Sequence, residues 1–151
     1  MVVNKQHFTN DHGFFYVGVN SRPYKNGRGK IGTTEQSNLN KRISVIKAKG
    51  ESDFTLCAFL RIENCTKAQL EFVEAYTRMM LEKDYQHTQN DHFEFKMNNK
   101  IREYNNFIHT AINYGVEACN MQGFEYHLVS VKEFGKRQGL MEQLLILAYI
   151  S

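Results

Sequence analysis

The chain predicts an α/β fold of the α+β kind: a small, mostly antiparallel three-stranded sheet flanked by helices, with a helical extension at its C-terminal end. Three observations lead there. Two short aromatic or β-branched runs, residues 14–19 and 30–33, flank a stretch rich in turn formers, which is the pattern of a hairpin. An alternating run, residues 53–63 (DFTLCAFLRIE), follows a helical segment and supplies a third strand for the hairpin to pair with. Further along, apolar residues recur every three or four positions, the period of a helix with one buried face.

Taken in order, residues 14–19 are bounded by Gly13 and Asn20-Ser21 and fit a buried strand. Residues 21–29 contain Pro23, Asn26-Gly27 and Gly29, so they predict a loop into the second strand. Leu39, Ile43 and Ile46 then share one helical face and Gly50 provides a stop, predicting a helix over 37–49. In the third strand, alternation puts Phe54, Leu56, Ala58, Leu60 and Ile62 on a single face. Thr66-Lys67-Ala68-Gln69 has the form of a capping box, in which hydroxyl and amide side chains satisfy each other's free backbone N–H groups. The helix it opens runs to about residue 84, burying Leu70, Val73, Tyr76 or Thr77, and Met80. Residues 86–91 are polar and read as a loop, and residues 92–95 as a short strand or anchor. A third helix over 99–118 buries Tyr104, Ile108, Ala111 and Ile112, and a Leu/Ile-rich helix over 140–149 closes the chain.

Composition narrows the class of protein. At 151 residues and 42% hydrophobic, the chain suits one sizeable core better than two. Nineteen Lys and Arg against sixteen Asp and Glu leave a formal charge of +3, which permits an anionic partner without requiring one. Cys57, Cys65 and Cys119 are odd in number and lack CxxC spacing. That argues against a disulfide framework or a structural zinc site, and for buried thiols in a reducing cytoplasm. Residues 1–10 carry no signal-like apolar core, and the longest apolar run, residues 144–150, is too short to span a bilayer. His87 and His92 have no third ligand at a matching spacing and read as polar loop groups.

Taken singly, Tyr16 reads as a core aromatic, Lys30 and Arg42 as surface cations, and Glu71 or Glu74 as a solvated carboxylate near Arg78. Their order in one chain says more. Phe14-Phe15-Tyr16, then Lys30-Ile31-Gly32-Thr33-Thr34, then Asn38-Leu39-Asn40-Lys41-Arg42-Ile43 and a helix with a glutamate resembles the GIY-YIG nuclease family. The first run stands where the family has Gly-Ile-Tyr and the second where it has Tyr-Ile-Gly. The third stands where it has Leu-x-x-Arg. Lys-Ile-Gly resembles the family's phage- and virus-type branch, and Ile46 occupies the place of a histidine often found after the arginine. The match covers roughly the first 95 residues. Residues 1–97 are therefore expected to form a nuclease-like unit, and 98–151 a helical extension packed on the same core.

The resemblance implies a chemistry. Phosphodiester hydrolysis needs an activated water, a cation against the non-bridging oxygens and help for the leaving oxygen. Tyr16 would deprotonate or orient the water, and Arg42 would grip the scissile phosphate through its donor fork. Lys30 would donate to phosphate or bias the Tyr16 phenol by its charge. Glu71, or else Glu74, would hold one Mg²⁺ or Mn²⁺; a single carboxylate suffices, because such an ion keeps most of its waters. Gly32 would allow close approach of strand and substrate, with Arg28, Thr33 and Lys41 also binding substrate. The expected partner is DNA and the expected compartment the cytoplasm, or a host cytoplasm or nucleus if the source is viral. A homodimer through the apolar terminal helix is expected too. The competing expectation is a GIY-YIG-like module that binds nucleic acid or protein without cleaving.

Overall fold

The computed structural model describes residues 12–20, 27–35, 39–88, 92–95 and 100–132. Strand β1 (His12–Asn20) is buried along its whole length, as its apolar run requires. Beside it β2 (Arg28–Thr34) runs antiparallel, in a register that sets Tyr16 opposite Gly32 and Gly18 opposite Lys30. Helix α1 (Leu39–Ala48) buries Leu39 and Ile46. Strand β3 (Phe54–Glu63) pairs with the other edge of β1.

Helix α2 (Lys67–Leu81) begins at the capping box: the Gln69 N–H donates to Thr66 Oγ1 at 3.1 Å and the Thr66 N–H to Gln69 Oε1 at 2.7 Å. It buries Leu70, Val73, Thr77 and Leu81. Thr77 is thus the residue that faces the core, while Tyr76 and Met80 lie half-buried beside it. Helix α3, Lys100–Gln122, buries all four of its anticipated core residues and Phe107 with them.

The sheet is larger than the three strands expected. Two-residue β4 (Gln86–His87), β5 (His92–Glu94) and β6 (Tyr126–Ser130) extend it to six, in the order β4-β5-β2-β1-β3-β6, all antiparallel. The stretch from residue 86 thus begins as a strand and not as a loop. Strands this short carry little periodic signal; the open edges of β2 and β3 define β5 and β6, and β5 in turn defines β4, by taking up their backbone hydrogen bonds. The anticipated terminal helix over 140–149 and the loop over 21–26 lie outside the described residues.

A second correction concerns β3. Its register against β1 slips between Val17, opposite Ala58, and Gly18, opposite Leu56, so Cys57 is a bulge residue. Each bulge inverts the alternation beyond it. Phe54 therefore packs with Phe14, Tyr16, Leu39, Ile46 and Phe59 on one sheet face, with Leu56 against them. Ala58, Leu60 and Ile62 turn to the other face, among Phe15, Val17, Leu70, Val73 and Phe107. The result is three layers, with α1 over one face and α2 with α3 over the other.

Candidate active site

On the α1 face, four positions form a square: Tyr16 and Gly18 on β1, Gly32 and Lys30 on β2. Residues directly opposite across antiparallel strands share a face. Two corners lack a side chain, and aromatic rings fill both. A Cβ on Gly32 would collide with the Tyr16 hydroxyl and Cζ, and one on Gly18 with the Phe54 ring. The Tyr16 phenol therefore leans from β1 across β2, held edge-to-face by Phe54 with centroids 6.4 Å apart. The glycine of the second motif sits where the tyrosine of the first needs room.

From above, Arg42 at the end of the first turn of α1 donates its Nε–H to the Tyr16 hydroxyl at 3.4 Å. Leu39, three residues earlier, is fully buried and anchors the helix in that orientation, so the arginine emerges at the flank of the buried stripe. Its side chain also reaches a cleft of about 380 Å³ where the two helical layers meet beyond the end of β2. Thr33, Thr34, Glu35, Arg42, Lys67, Leu70 and Glu71 line it. Lys67 pairs with Glu35 at 3.7 Å across this space.

The structure thus brings Tyr16, Gly32 and Arg42 into contact, and Arg42, Thr33 and Glu71 into one cleft. Glu74 is elsewhere: it accepts Arg78 Nη2 at 3.2 Å and does not line the cleft. Arg28 lies at the opposite end of β2, across from Asn20 and Glu94. Lys41 is exposed on α1. Lys30 shares the face of Tyr16 but is nearly buried, its Nζ 3.3 Å from Glu51 Oε2.

That last contact belongs to a cluster that sequence reasoning missed. Glu51 Oε1 lies 2.6 Å from His92 Nε2 and also accepts Asn20 Nδ2 at 3.4 Å, while Asn20 Nδ2 reaches Asp53 Oδ1 at 3.2 Å. Burial raises the Glu51 carboxyl, but the His92 hydrogen bond and the Lys30 charge outweigh it and leave the group below its usual value. His92 is not a loop residue: it is buried on β5, directly across from Lys30. No spacing rule joins residues 30, 51 and 92, so only the sheet order could reveal them.

The three cysteines are poorly suited to nucleophilic chemistry. All three thiols are free and buried, and burial pushes Cys57 and Cys119 up to about 12 and Cys65 up to about 11. Such groups stay protonated and inert near neutral pH. No group of three or more His, Cys, Asp or Glu among the described residues forms a metal cage. No helix among them is long and apolar enough to cross a membrane. No family model, curated protein or solved structure matches the chain.

Proposed function

We propose that the protein is a metal-dependent DNA endonuclease of the GIY-YIG type, with Tyr16, Arg42 and Glu71 as its centre. The observation that carries the reading is the Arg42 Nε–Tyr16 hydroxyl contact at 3.4 Å, beside a cleft that also holds Glu71. Three residues far apart in sequence, each singled out for a separate role in one reaction, are gathered by three different elements. A contact of this length is ordinary for a site awaiting substrate, since catalytic hydrogen bonds tighten on binding.

The residues fit the roles. Tyr16 is buried, its ring packed against Phe54 and its hydroxyl held over Gly32 beside Arg42 Nε, so the oxygen is fixed in place without a cost in mobility. It would accept a proton from, or orient, the attacking water. Arg42, an exposed residue of α1 that also lines the cleft, would bind a non-bridging phosphate oxygen and stabilise charge as it grows there. Lys30 would add a second positive charge from the far side of Gly32. Thr33 and Lys41 would hold neighbouring phosphates, as would Arg28 at the far end of β2.

An exposed carboxylate on a cleft wall suits Mg²⁺ or Mn²⁺, which binds through one or two protein oxygens and completes its shell from water and phosphate. Glu71 is that carboxylate, with Glu35 across the cleft. When bound, such an ion neutralises phosphate charge and stabilises the leaving oxygen. Two active centres would serve duplex cleavage, which favours a homodimer; the apolar sequence of residues 140–149 is the proposed contact.

Incubation of supercoiled plasmid with Mg²⁺, Mn²⁺ or EDTA tests the reading. Expected is nicking with either metal, none with EDTA, and none from Glu71→Ala, while Glu74→Ala stays active. Protein that retards DNA in a gel yet leaves it intact under every metal would be the binding module, and the nuclease reading would fall.

A further inference from the structure

One buried polar cluster on the sheet face of Tyr16 joins Lys30 to two residues that have no part in the scheme so far. It comprises Lys30 on β2, Glu51 in the turn after α1 and His92 on β5. Lys30 is 8% exposed and His92 4%. A lysine is a point charge on a flexible stem of four methylenes, and left alone it places its ammonium nowhere in particular. Here the stem rises from the position adjacent to Gly32 on the face over which the Tyr16 phenol leans. Its Nζ is tied to Glu51 Oε2, while Oε1 of the same carboxylate meets His92 Nε2. At 2.6 Å from a carboxylate oxygen, that nitrogen carries a hydrogen and donates it.

We propose that Glu51, steadied by His92, is a positioning residue for this site: it fixes the Lys30 ammonium on the sheet face that also carries Tyr16. The assignment rests on the nuclease reading. Its logic is preorganisation: a cation aimed in advance at the phosphate acts without reorganising during the reaction. A displacement of about 1 Å in such a group can cost on the order of 10²-fold in rate. His92 acts one step further out, orienting a group that orients another. An ion network with only a structural role would also pin the turn after α1 to β2 and β5. The two roles differ in whether the loss at Glu51 depends on Lys30.

A double-mutant cycle measures that dependence. Single-turnover plasmid nicking at saturating DNA is compared for wild type, Glu51→Gln, Lys30→Met and the double variant, with melting temperatures alongside. Expected is a loss of about 10-fold or more for Glu51→Gln in the wild-type background, and less than about 2-fold when Lys30 is already Met. DNA affinity should change less than the rate. If Glu51→Gln melts below the assay temperature, His92→Gln takes its place in the cycle, because an amide still faces the carboxylate. The expected result is then a smaller loss, again only when Lys30 is present. Equal losses in both backgrounds, or full rate in the single variant, would overturn the positioning role and leave the nuclease reading intact. Wild-type protein that never nicks overturns both.

Discussion

Tyr16→Phe removes one hydroxyl from a ring that remains packed against Phe54 and above Gly32, so the variant should fold and bind DNA while losing its rate. A drop of about 10²-fold or more in single-turnover nicking is expected, the range for removing one preorganised group. Arg42→Ala should fall as far, and Arg42→Lys should recover little, because an ammonium cannot reproduce the guanidinium fork. Gly32→Ala is the sharper test. Its methyl group would occupy the place of the phenol, so the rate should collapse with every proposed catalytic group still present. Near-normal saturating rates in all of these would reduce the glycine and tyrosine to packing. At Glu51 the sign of the pH effect follows from its lowered value. The folded carboxyl binds fewer protons than the unfolded one, so its contribution to stability is complete above about 4.5 and is lost as pH falls through the lower folded value. The gap in melting temperature between wild type and Glu51→Gln should therefore narrow below that pH.

Among the elements, α2 bears most directly on the cleft, since its first turns carry Lys67, Leu70 and Glu71. Its start is set by Thr66, whose hydroxyl accepts the Gln69 N–H. Thr66→Ala should cost about 1 kcal/mol in urea unfolding and loosen the helix end that presents Glu71. Thr77, three turns on, has the opposite potential. Fully buried, its Oγ1 makes no hydrogen bond among the described residues, so Thr77→Val keeps the shape and removes an uncompensated polar atom. A gain of about 1 kcal/mol is expected, with no change in nicking. An unchanged or lower unfolding midpoint would show that the hydroxyl is satisfied after all.

At the scale of the whole molecule, three layers explain why one cleft can draw on both sides of the sheet. Arg42 comes from α1 on one face and Glu71 from α2 on the other, and both line the cleft past the end of β2. One chain carries one such set, whereas a duplex has two strands to cut. Light scattering at tens of micromolar should accordingly give the mass of a dimer, and deletion of residues 140–151 that of a monomer. A strictly monomeric mass unchanged by the deletion would remove that segment as the contact.

How much of this was legible in the chain follows from where each signal resides. The sequence by itself determined the hairpin, the capping box and the helical stripes, because these are local: a glycine, a threonine three residues before a glutamine, an apolar residue every third or fourth place. It also determined which tyrosine, arginine and glutamates to examine, through their order. It could not place them. Only the tertiary structure decided that the Tyr16 phenol leans over Gly32, that Glu71 lines the cleft while Glu74 pairs with Arg78, and that Lys30 meets Glu51 and His92. Strands β4 and β6 and the bulge at Cys57 were likewise decided there. The physical reason is common to all of these. Each depends on strand register and on which sheet edge offers hydrogen bonds, and those are set by contacts between segments remote in sequence.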